Sequence, residues 1–267
     1  MLFRSSASLT AQTWTQLAKA PFPQPTTTSS RYGGGAAFSI INGGVLLYGG
    51  LQTGVTAPQS DTWLFDGTTW TQLAPATTPP VRWGHQMVYD SNRYKVITFG
   101  GRSPTTTAVA NDTWEWDGSN WAQVITSTAP SARAFYGMAF DDRRGKAVLY
   151  GTQSGITPSG QQTWEYNGTT WTLATPTTVP PGLESPAMAY DKGRGVTVMF
   201  GGYNASSPGT DYRTTYEWDG VNWTLRTTAA APLTGYRASL VYDDLHGRIR
   251  SEEHTSELQS PYVISYA

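Results

Sequence analysis

Arginine and aromatic residues recur together along the chain, and this combination could bind a carboxylate, a sugar or a peptide. Arg31, Arg82 and Arg133 follow one another at intervals of 51 residues, each within two residues of an aromatic residue. A guanidinium group pairs with a carboxylate through two parallel hydrogen bonds, and aromatic faces attract cations. We predict a binding collar formed by Arg31, Tyr32, Arg82, Trp83, His85, Arg133, Tyr136, Tyr236 and Arg237.

A structural role is the alternative interpretation of these arginines. In that interpretation, each guanidinium hydrogen-bonds the backbone carbonyls of the adjacent repeat unit, and the repetition of the arginine favours it. The fourth unit departs from the pattern and offers Leu183 and Glu184 instead. We expect Glu184 to stand where the arginine would be.

The remaining residues that could do chemistry do not form a catalytic pattern. Glu115, Glu165 and Glu217 recur at matching positions. A glycosidase needs its carboxylate pair only once, so the repetition of these glutamates indicates a structural role. The chain has 3 histidines and no cysteine, and the histidines lack the spacing of metal ligands. The sequence therefore predicts no catalytic residue, no metal site and no cofactor.

The composition is typical of an all-β protein. Charged residues make up 14% of the chain, whereas the 267 residues include 28 glycines, 17 prolines, 11 tryptophans and 15 tyrosines. Aromatic and β-branched residues favour strands, while glycine and proline favour turns. The formal net charge of −1 argues against a nucleic-acid partner, because such a partner requires a basic surface. We also expect no membrane-spanning segment, since no apolar run approaches about 18 residues.

A unit of about 51 residues is repeated along the chain, and three of its segments keep the same spacing. One segment is a hydrophobic run that ends in glycine, a second alternates aromatic with polar residues, and a third ends in Tyr-Asp or Phe-Asp. Each unit predicts four short strands, which we call a to d, with a tight Asp-Gly or Asn-Gly turn between c and d. The structural repeat positions are Gly49, Gly50, Trp63, Trp70, Gly100, Gly101, Trp114, Trp121, Gly151, Trp164, Trp171, Gly201, Gly202, Tyr216 and Trp223.

These repeats predict a β-propeller, because one four-stranded sheet cannot bury its aromatic face without a neighbouring sheet. The Gly-Gly pair, the tryptophan that follows it and the period near fifty residues resemble kelch repeats. The segment from Arg82 to His85 and the Asp-Gly-x-x-Trp turns resemble kelch proteins of bacteria, which are related to the propeller of galactose oxidase. The copper-radical chemistry of that enzyme requires a cysteine, so the resemblance implies the scaffold and not the oxidase activity.

The repeat divides the chain into four nearly complete blades with partial blades on either side. We expect an incomplete kelch-type propeller. The predicted segments are a remnant of a preceding blade with Trp14 (1–25), four blades (26–75, 76–125, 126–175 and 176–228), the start of a truncated blade (229–249) and a non-native tail (250–267). The tail resembles the in-frame translation of a sequencing-library adapter.

The predicted function is a non-catalytic propeller that binds a protein or a carbohydrate ligand. The variable b–c segments (51–60, 102–111, 153–161 and 203–213) and the collar are expected on one face, where loops usually carry binding. A carbohydrate-active enzyme is the alternative, since the resemblance implies that kelch propellers include sugar oxidases and a sialic-acid mutarotase. Low charge, abundant threonine and glycine, and the lack of cysteine favour a fragment of a bacterial exported or surface protein, which would bind its own missing blades.

Overall fold

The computed structural model describes residues 31–52, 59–106, 108–151, 161–204, 212–227 and 238–251, together with the backbone of 3–5, 14–16, 210–211 and 252. Within these residues all regular secondary structure is β-strand. The strands are β1 (Phe3–Ser5), β2 (Trp14–Gln16), β3 (Arg31–Tyr32), β4 (Gly35–Ser39), β5 (Gly44–Tyr48), β6 (Leu51–Gln52), β7 (Thr62–Phe65), β8 (Trp70–Leu73), β9 (Gln86–Asp90), β10 (Lys95–Phe99), β11 (Thr113–Trp116), β12 (Trp121–Val124), β13 (Gly137–Asp141), β14 (Lys146–Tyr150), β15 (Thr163–Tyr166), β16 (Trp171–Leu173), β17 (Ala187–Asp191), β18 (Val196–Phe200), β19 (Tyr203–Asn204), β20 (Thr210–Asp211), β21 (Thr215–Trp218), β22 (Trp223–Arg226), β23 (Ser239–Asp243) and β24 (Arg248–Glu252).

Four antiparallel sheets of four strands repeat along the chain, and they confirm the predicted all-β blades. Blade I is β4-β5-β7-β8, blade II is β9-β10-β11-β12, blade III is β13-β14-β15-β16 and blade IV is β17-β18-β21-β22. The hairpin β23–β24 begins blade V. Strands that are consecutive within a unit are also neighbours in its sheet, so strands a to d follow one another across each blade.

The turn between strands c and d is closed by the same side-chain hydrogen bonds in each blade. In blade II, the Asp117 carboxylate accepts hydrogen bonds from the backbone N–H groups of Ser119 and Asn120. Gly118 follows with φ +102°, a value that favours glycine because it has no Cβ. The same turn forms at Asp66, Asn167 and Asp219. A short polar side chain followed by glycine thus closes each blade's outer hairpin.

The a strands of successive blades lie side by side, in the order β4, β9, β13, β17 and β23. Strand a is therefore the innermost strand of each blade, and strand d is the outermost. The hydrophobic cores lie between blades. Between blades II and III, for example, Val88 and Ile97 pack against Met138 and Leu149. No single blade has to bury both of its faces alone, which explains why the unit is repeated.

Tryptophan side chains form hydrogen bonds that fix the position of one blade relative to the next. At the start of strand d, the indole N–H of Trp121 donates to Thr62 Oγ1 of the preceding blade at 3.0 Å. Trp171 repeats this bond to Thr113 at 2.9 Å, and Trp223 repeats it to Thr163 at 2.8 Å. A buried indole N–H needs an acceptor, so the threonine at the start of strand c sets the position of the neighbouring blade.

The repeated glutamates belong to ion-pair networks at the a–b turns. In blade III, Arg144 bridges Asp141 at 2.6 Å and Glu165 at 2.5 Å. Glu165 also accepts the indole N–H of Trp218 from blade IV, and Lys146 contacts its other oxygen at 2.7 Å. These contacts agree with the structural role inferred from the repetition of the glutamates.

Blade V follows the repeat only in part. Val241 pairs with Arg250, whereas the equivalent pair in blade IV is Ala189 with Val198. Arg250 thus occupies an aliphatic position, and its guanidinium lies 2.5 Å from Asp243. The expected boundary at 249/250 falls inside β24, and the rest of the predicted non-native tail, residues 253–267, lies outside the described residues.

Candidate functional site

Two arginines of the predicted collar are held inside their own blades. Arg82 is 2% exposed, and it contacts both carboxylate oxygens of Asp112 at 2.7 and 2.8 Å. Its remaining donors reach the carbonyls of Gly100 at 2.7 Å and Pro80 at 2.9 Å. Arg31 makes the same bidentate contact with Asp61. Their guanidinium groups therefore hold together the loops of one blade.

Arg133 is buried without a carboxylate partner among the described residues. Its guanidinium donates to the carbonyls of Gly151 and Ser131 and to the amide oxygen of Gln162, each at 3.0 Å. Burial lowers the pKa of Arg133 to about 10. All three arginines use their donors inside the protein, so the contacts favour the structural alternative over a binding collar formed by their guanidinium groups. The alternative was correct about backbone carbonyls, but these belong to the arginine's own blade.

In blade IV, the residue that replaces the repeated arginine lies one position before the predicted Glu184. Arg82 and Arg133 each stand 18 residues before the glycine whose carbonyl they contact, and that spacing places Leu183 at the position in front of Gly201. Leu183 is 1% exposed and packs in the core between blades III and IV. Leu183, rather than Glu184, therefore replaces the arginine.

His85 and Tyr136 occupy equivalent positions in blades II and III, and both join blades. His85 Nε2 accepts the backbone N–H of Gly35 at 3.2 Å, while the Tyr136 hydroxyl accepts the N–H of Gln86 and donates to the carbonyl of Phe99. Burial, together with the nearby guanidinium, lowers the pKa of His85 to about 3. Both side chains are buried between blades, and these contacts favour a structural role for them over ligand binding.

Three aromatic rings on the loop face remain open to solvent, and we call them the aromatic ladder. Tyr32 is 52% exposed, and its ring lies edge-on to Trp83 with the centroids 6.3 Å apart. Trp83 in turn lies edge-on to Phe135 at 4.9 Å. Tyr32 and Trp83 belong to the predicted collar, and Phe135 adds the third ring. The other two predicted residues, Tyr236 and Arg237, lie outside the described residues.

A chain of backbone hydrogen bonds holds the ladder in place. The N–H of Gly84 donates to Gly33, that of Phe135 donates to Gly84, and that of Ser185 donates to Phe135, each at 2.7 Å. Their φ values are all positive, including +57° for Phe135 and +51° for Ser185. Non-glycine residues adopt this conformation at a cost, and such residues concentrate at functional sites. The bonds between blades therefore hold the rings on a rigid rim.

Short cross-strand pairs extend this surface toward the b–c loops. Tyr32 pairs with Leu51, Trp83 pairs with Arg102, and Glu184 pairs with Tyr203. Directly opposed residues in antiparallel strands project on the same side. The resulting surface comprises Tyr32, Leu51, Trp83, Arg102, Phe135, Glu184 and Tyr203, and we call it the axial mouth because these residues adjoin the innermost strands.

The axial mouth combines aromatic side chains with one basic and one acidic group. Trp83, Arg102, Phe135 and Glu184 are each partly exposed. Across the described ranges, histidine and acidic side chains nowhere form a group of three that could hold a metal ion. The described part of the chain also contains no helix with the length and apolarity to cross a membrane. The surface is suited to binding through ring contacts and charge.

Comparison with known proteins identifies one family. The family model described as "KLHDC2/KLHL20/DRC7 Kelch-repeats domain" matches residues 35–244. A search of curated proteins gives no match.

Proposed function

Because the chain belongs to the Kelch-repeat family, whose domains bind proteins, we propose that it is a binding scaffold whose partner docks on the axial mouth. The observation that carries this proposal is the aromatic ladder, with Tyr32 52% exposed on a backbone held by bonds between blades. Tyrosine and tryptophan are enriched among the residues that contribute most to binding energy. A partly exposed ring on a rigid support loses little conformational entropy when a partner covers it.

The charges around the ladder support a polypeptide partner. Arg102 lies beside Trp83, and Glu184 lies two blades away. Polar groups at the rim of an apolar patch favour one orientation of the partner over others. We therefore expect the partner to contribute an apolar side chain to the ladder and an acidic group toward Arg102.

A pair of matched tyrosines tests the proposal. Tyr32 is 52% exposed on the ladder, and Tyr94 is 54% exposed in the a–b turn of blade II. Peptides are first selected from a displayed library against the intact chain, and their affinity is then measured by calorimetry for Tyr32→Ala and Tyr94→Ala. We expect Tyr32→Ala to weaken binding by about tenfold or more, equivalent to about 1.4 kcal/mol, and Tyr94→Ala to leave it unchanged. Equal losses in the two variants would contradict the proposal.

A carbohydrate ligand is the second candidate, because the exposed ring of Tyr32 beside Trp83 could also stack on a sugar. Among the described residues, the axial mouth has one acidic side chain, Glu184, whereas glycoside hydrolysis usually requires two carboxyl groups. We therefore propose sugar binding, rather than sugar chemistry, as the form this candidate takes. Binding to a glycan array that is lost with Tyr32→Ala, and no peptide selected above background, would favour it.

We further propose that this chain is part of an exported or surface protein of a bacterium, in which further blades belong to the same polypeptide. The low fraction of charged residues, 14%, and the lack of cysteine support this setting. Labelling of intact cells with an antibody against the chain tests it, and signal only after the cells are lysed would contradict it.

A further inference from the structure

The c–d turn of blade III begins with a different residue from the other c–d turns. Asn167 stands there, followed by Gly168, whereas an aspartate stands at the equivalent position of the other three blades. An asparagine followed by glycine can lose its side-chain amide without an enzyme, because glycine has no side chain to obstruct the approach of its backbone nitrogen to the asparagine Cγ atom. The sequence has one other such pair, Asn42 with Gly43, and it provides an internal comparison.

The turn of blade III places three hydrogen-bond donors around the side-chain oxygen of Asn167. Asn167 Oδ1 accepts the backbone N–H of Thr169 at 3.0 Å and that of Thr170 at 2.9 Å. The Thr169 hydroxyl group donates to the same oxygen at 2.9 Å. When a nucleophile adds to Cγ, negative charge develops on Oδ1, and donors that already point at this oxygen stabilise the charge. The turn thus has the arrangement of an oxyanion hole.

The equivalent aspartates indicate that this turn stabilises a negative charge. The backbone N–H of Thr69, together with the hydroxyl and N–H groups of Thr68, lowers the pKa of the Asp66 carboxyl group. The backbone N–H of Ser119 likewise lowers the pKa of Asp117. Hydrogen bonds to a charged acceptor are stronger than those to a neutral one, so the same donors hold an oxyanion more tightly than a neutral amide oxygen.

The backbone nitrogen that would attack is also available. In the described part of the chain, the N–H of Gly168 donates to no acceptor, and Asn167 is exposed to water. The carbonyl of Gly168 accepts Arg93 Nη1 of blade II at 3.4 Å. This contact holds the turn against the neighbouring blade without engaging the nitrogen.

The second Asn-Gly pair is held in a way that opposes the same attack. The N–H of Gly43 donates to the carbonyl of Ile40 at 3.1 Å, so its nitrogen is engaged. The amide NH₂ group of Asn42, which would have to leave, donates to the carbonyl of Gly118 at 2.8 Å. Asn42 Oδ1 accepts the indole N–H of Trp116 at 2.9 Å. These bonds fix the Asn42 side chain between blades I and II.

We propose that Asn167 is a site of spontaneous deamidation at which the turn itself provides the oxyanion hole. The Gly168 nitrogen gives up its proton to hydroxide and bonds to Cγ of Asn167, the bond from Cγ to Nδ2 breaks, and Nδ2 takes up a proton from water and leaves as ammonia. Water then opens the five-membered imide ring at one of its two carbonyls, which yields aspartate or isoaspartate. Aspartate is the residue of the other three blades, whereas isoaspartate lengthens the backbone beside the carbonyl that Arg93 contacts. This site is separate from the axial mouth and does not depend on the proposed function.

Incubation of the intact chain in a mildly alkaline buffer tests the proposal. Samples taken over time are digested, and mass spectrometry measures the conversion of Asn167 and of Asn42 in the same chain. We expect Asn167 to convert about tenfold faster than Asn42 or more, and to yield isoaspartate, which the imide ring produces and direct hydrolysis of the amide does not. In urea, where both turns are unfolded, the two rates should become similar.

Variants of Thr169 separate the effect of the oxyanion hole from that of the Asn-Gly sequence. Thr169→Val removes one donor and should slow the conversion of Asn167 in the folded chain about fivefold, the effect of one ordinary hydrogen bond. Thr169→Ser keeps the hydroxyl group, as Ser119 does in blade II, and should keep the rate. Thr68→Val makes the same change in the turn of blade I, and it is the control that should leave the conversion of Asn167 unchanged.

Three results would overturn the proposal. The first is an Asn167 that converts no faster than Asn42 in the folded chain. The second is an equal rate for Thr169→Val and Thr169→Ser, with circular dichroism showing that both variants are folded. The third is a difference between Asn167 and Asn42 that persists in urea, since the sequence around each asparagine, rather than the turn, would then set the rate.

Discussion

Replacing Arg82 by leucine tests whether the arginines hold the blades together or are kept for a ligand. In Arg82→Leu, the carbonyls of Pro80 and Gly100 lose their donor. The carboxylate of Asp112 keeps the indole N–H of Trp114 at 2.6 Å but loses its counter-charge. Breaking a buried ion pair by removing one partner typically costs 3–5 kcal/mol, so we expect a loss of about 3 kcal/mol of unfolding free energy.

The double variant copies the residues of blade IV, in which Leu183 is equivalent to Arg82 and Thr214 is equivalent to Asp112. Arg82→Leu combined with Asp112→Thr removes both charges, and we expect it to cost only about 1–2 kcal/mol for the carbonyls left without a donor. Urea unfolding followed by fluorescence and circular dichroism gives the free energies of both single variants and the double variant. A single-variant loss below about 1 kcal/mol, or a double loss equal to the sum of the single losses, would refute a structural ion pair.

Three further predictions concern the contacts between blades and the buried titratable groups. Trp171→Phe loses the bond to Thr113 and leaves part of a buried site unfilled, so we expect it to cost more in urea unfolding than the about 1 kcal/mol of the bond. Thr113→Val removes only the bond and should cost about 1 kcal/mol, and clearly additive losses would argue against the bond. Although burial opposes the shift, hydrogen bonds from its partner arginine keep the pKa of Asp112 below 3.8. Its contribution to stability is therefore present above pH 3.8 and is lost as pH falls through the folded-state pKa, and melting curves of the double variant should show a weaker dependence on acid. The pKa of His85 is lowered by burial from 6.5 to about 3. Between these values the unfolded chain binds a proton that the folded chain does not, so stability decreases as the pH is lowered through this range. Nuclear magnetic resonance should find a neutral His85 ring at pH 5, and a charged ring would contradict this burial.

The blades were predictable from the sequence because their signals are local. Gly118 and the acidic residue before it close a turn within four residues, and the tryptophans recur at a constant distance from it. Each blade needs a neighbour to bury its aromatic face, and this requirement alone indicates a propeller. Backbone geometry and burial therefore agree with the pattern of the repeat.

The role of the arginines was harder to predict because their partners are distant in sequence. Arg82 and Asp112 are 30 residues apart, and an arginine before strand a gives no indication of whether it faces solvent or the blade. A signal was nevertheless present in the fourth unit, where Leu183 replaces the arginine and Thr214 replaces the aspartate of the first two units. Comparing these paired positions between units would have indicated contact.

The axial mouth was predicted only in part, since it depends on contacts between blades. Phe135 is one position later in its unit than Trp83, and the two rings meet because successive backbones are hydrogen-bonded around the axis. The shortened fourth unit also displaced Glu184 by one residue in the prediction. Periodicity gives the unit, but it does not give which side chains of adjacent units meet.

The most direct test of the account is to locate a bound polypeptide on the surface. A peptide selected against the chain and carrying a photoreactive group is cross-linked to the intact protein, and the attachment sites are identified by mass spectrometry. The account predicts attachment at Tyr32, Trp83, Arg102 or Phe135. Attachment instead at Tyr94 or Leu245, which lie in exposed a–b turns, would contradict the assignment of the axial mouth as the binding surface.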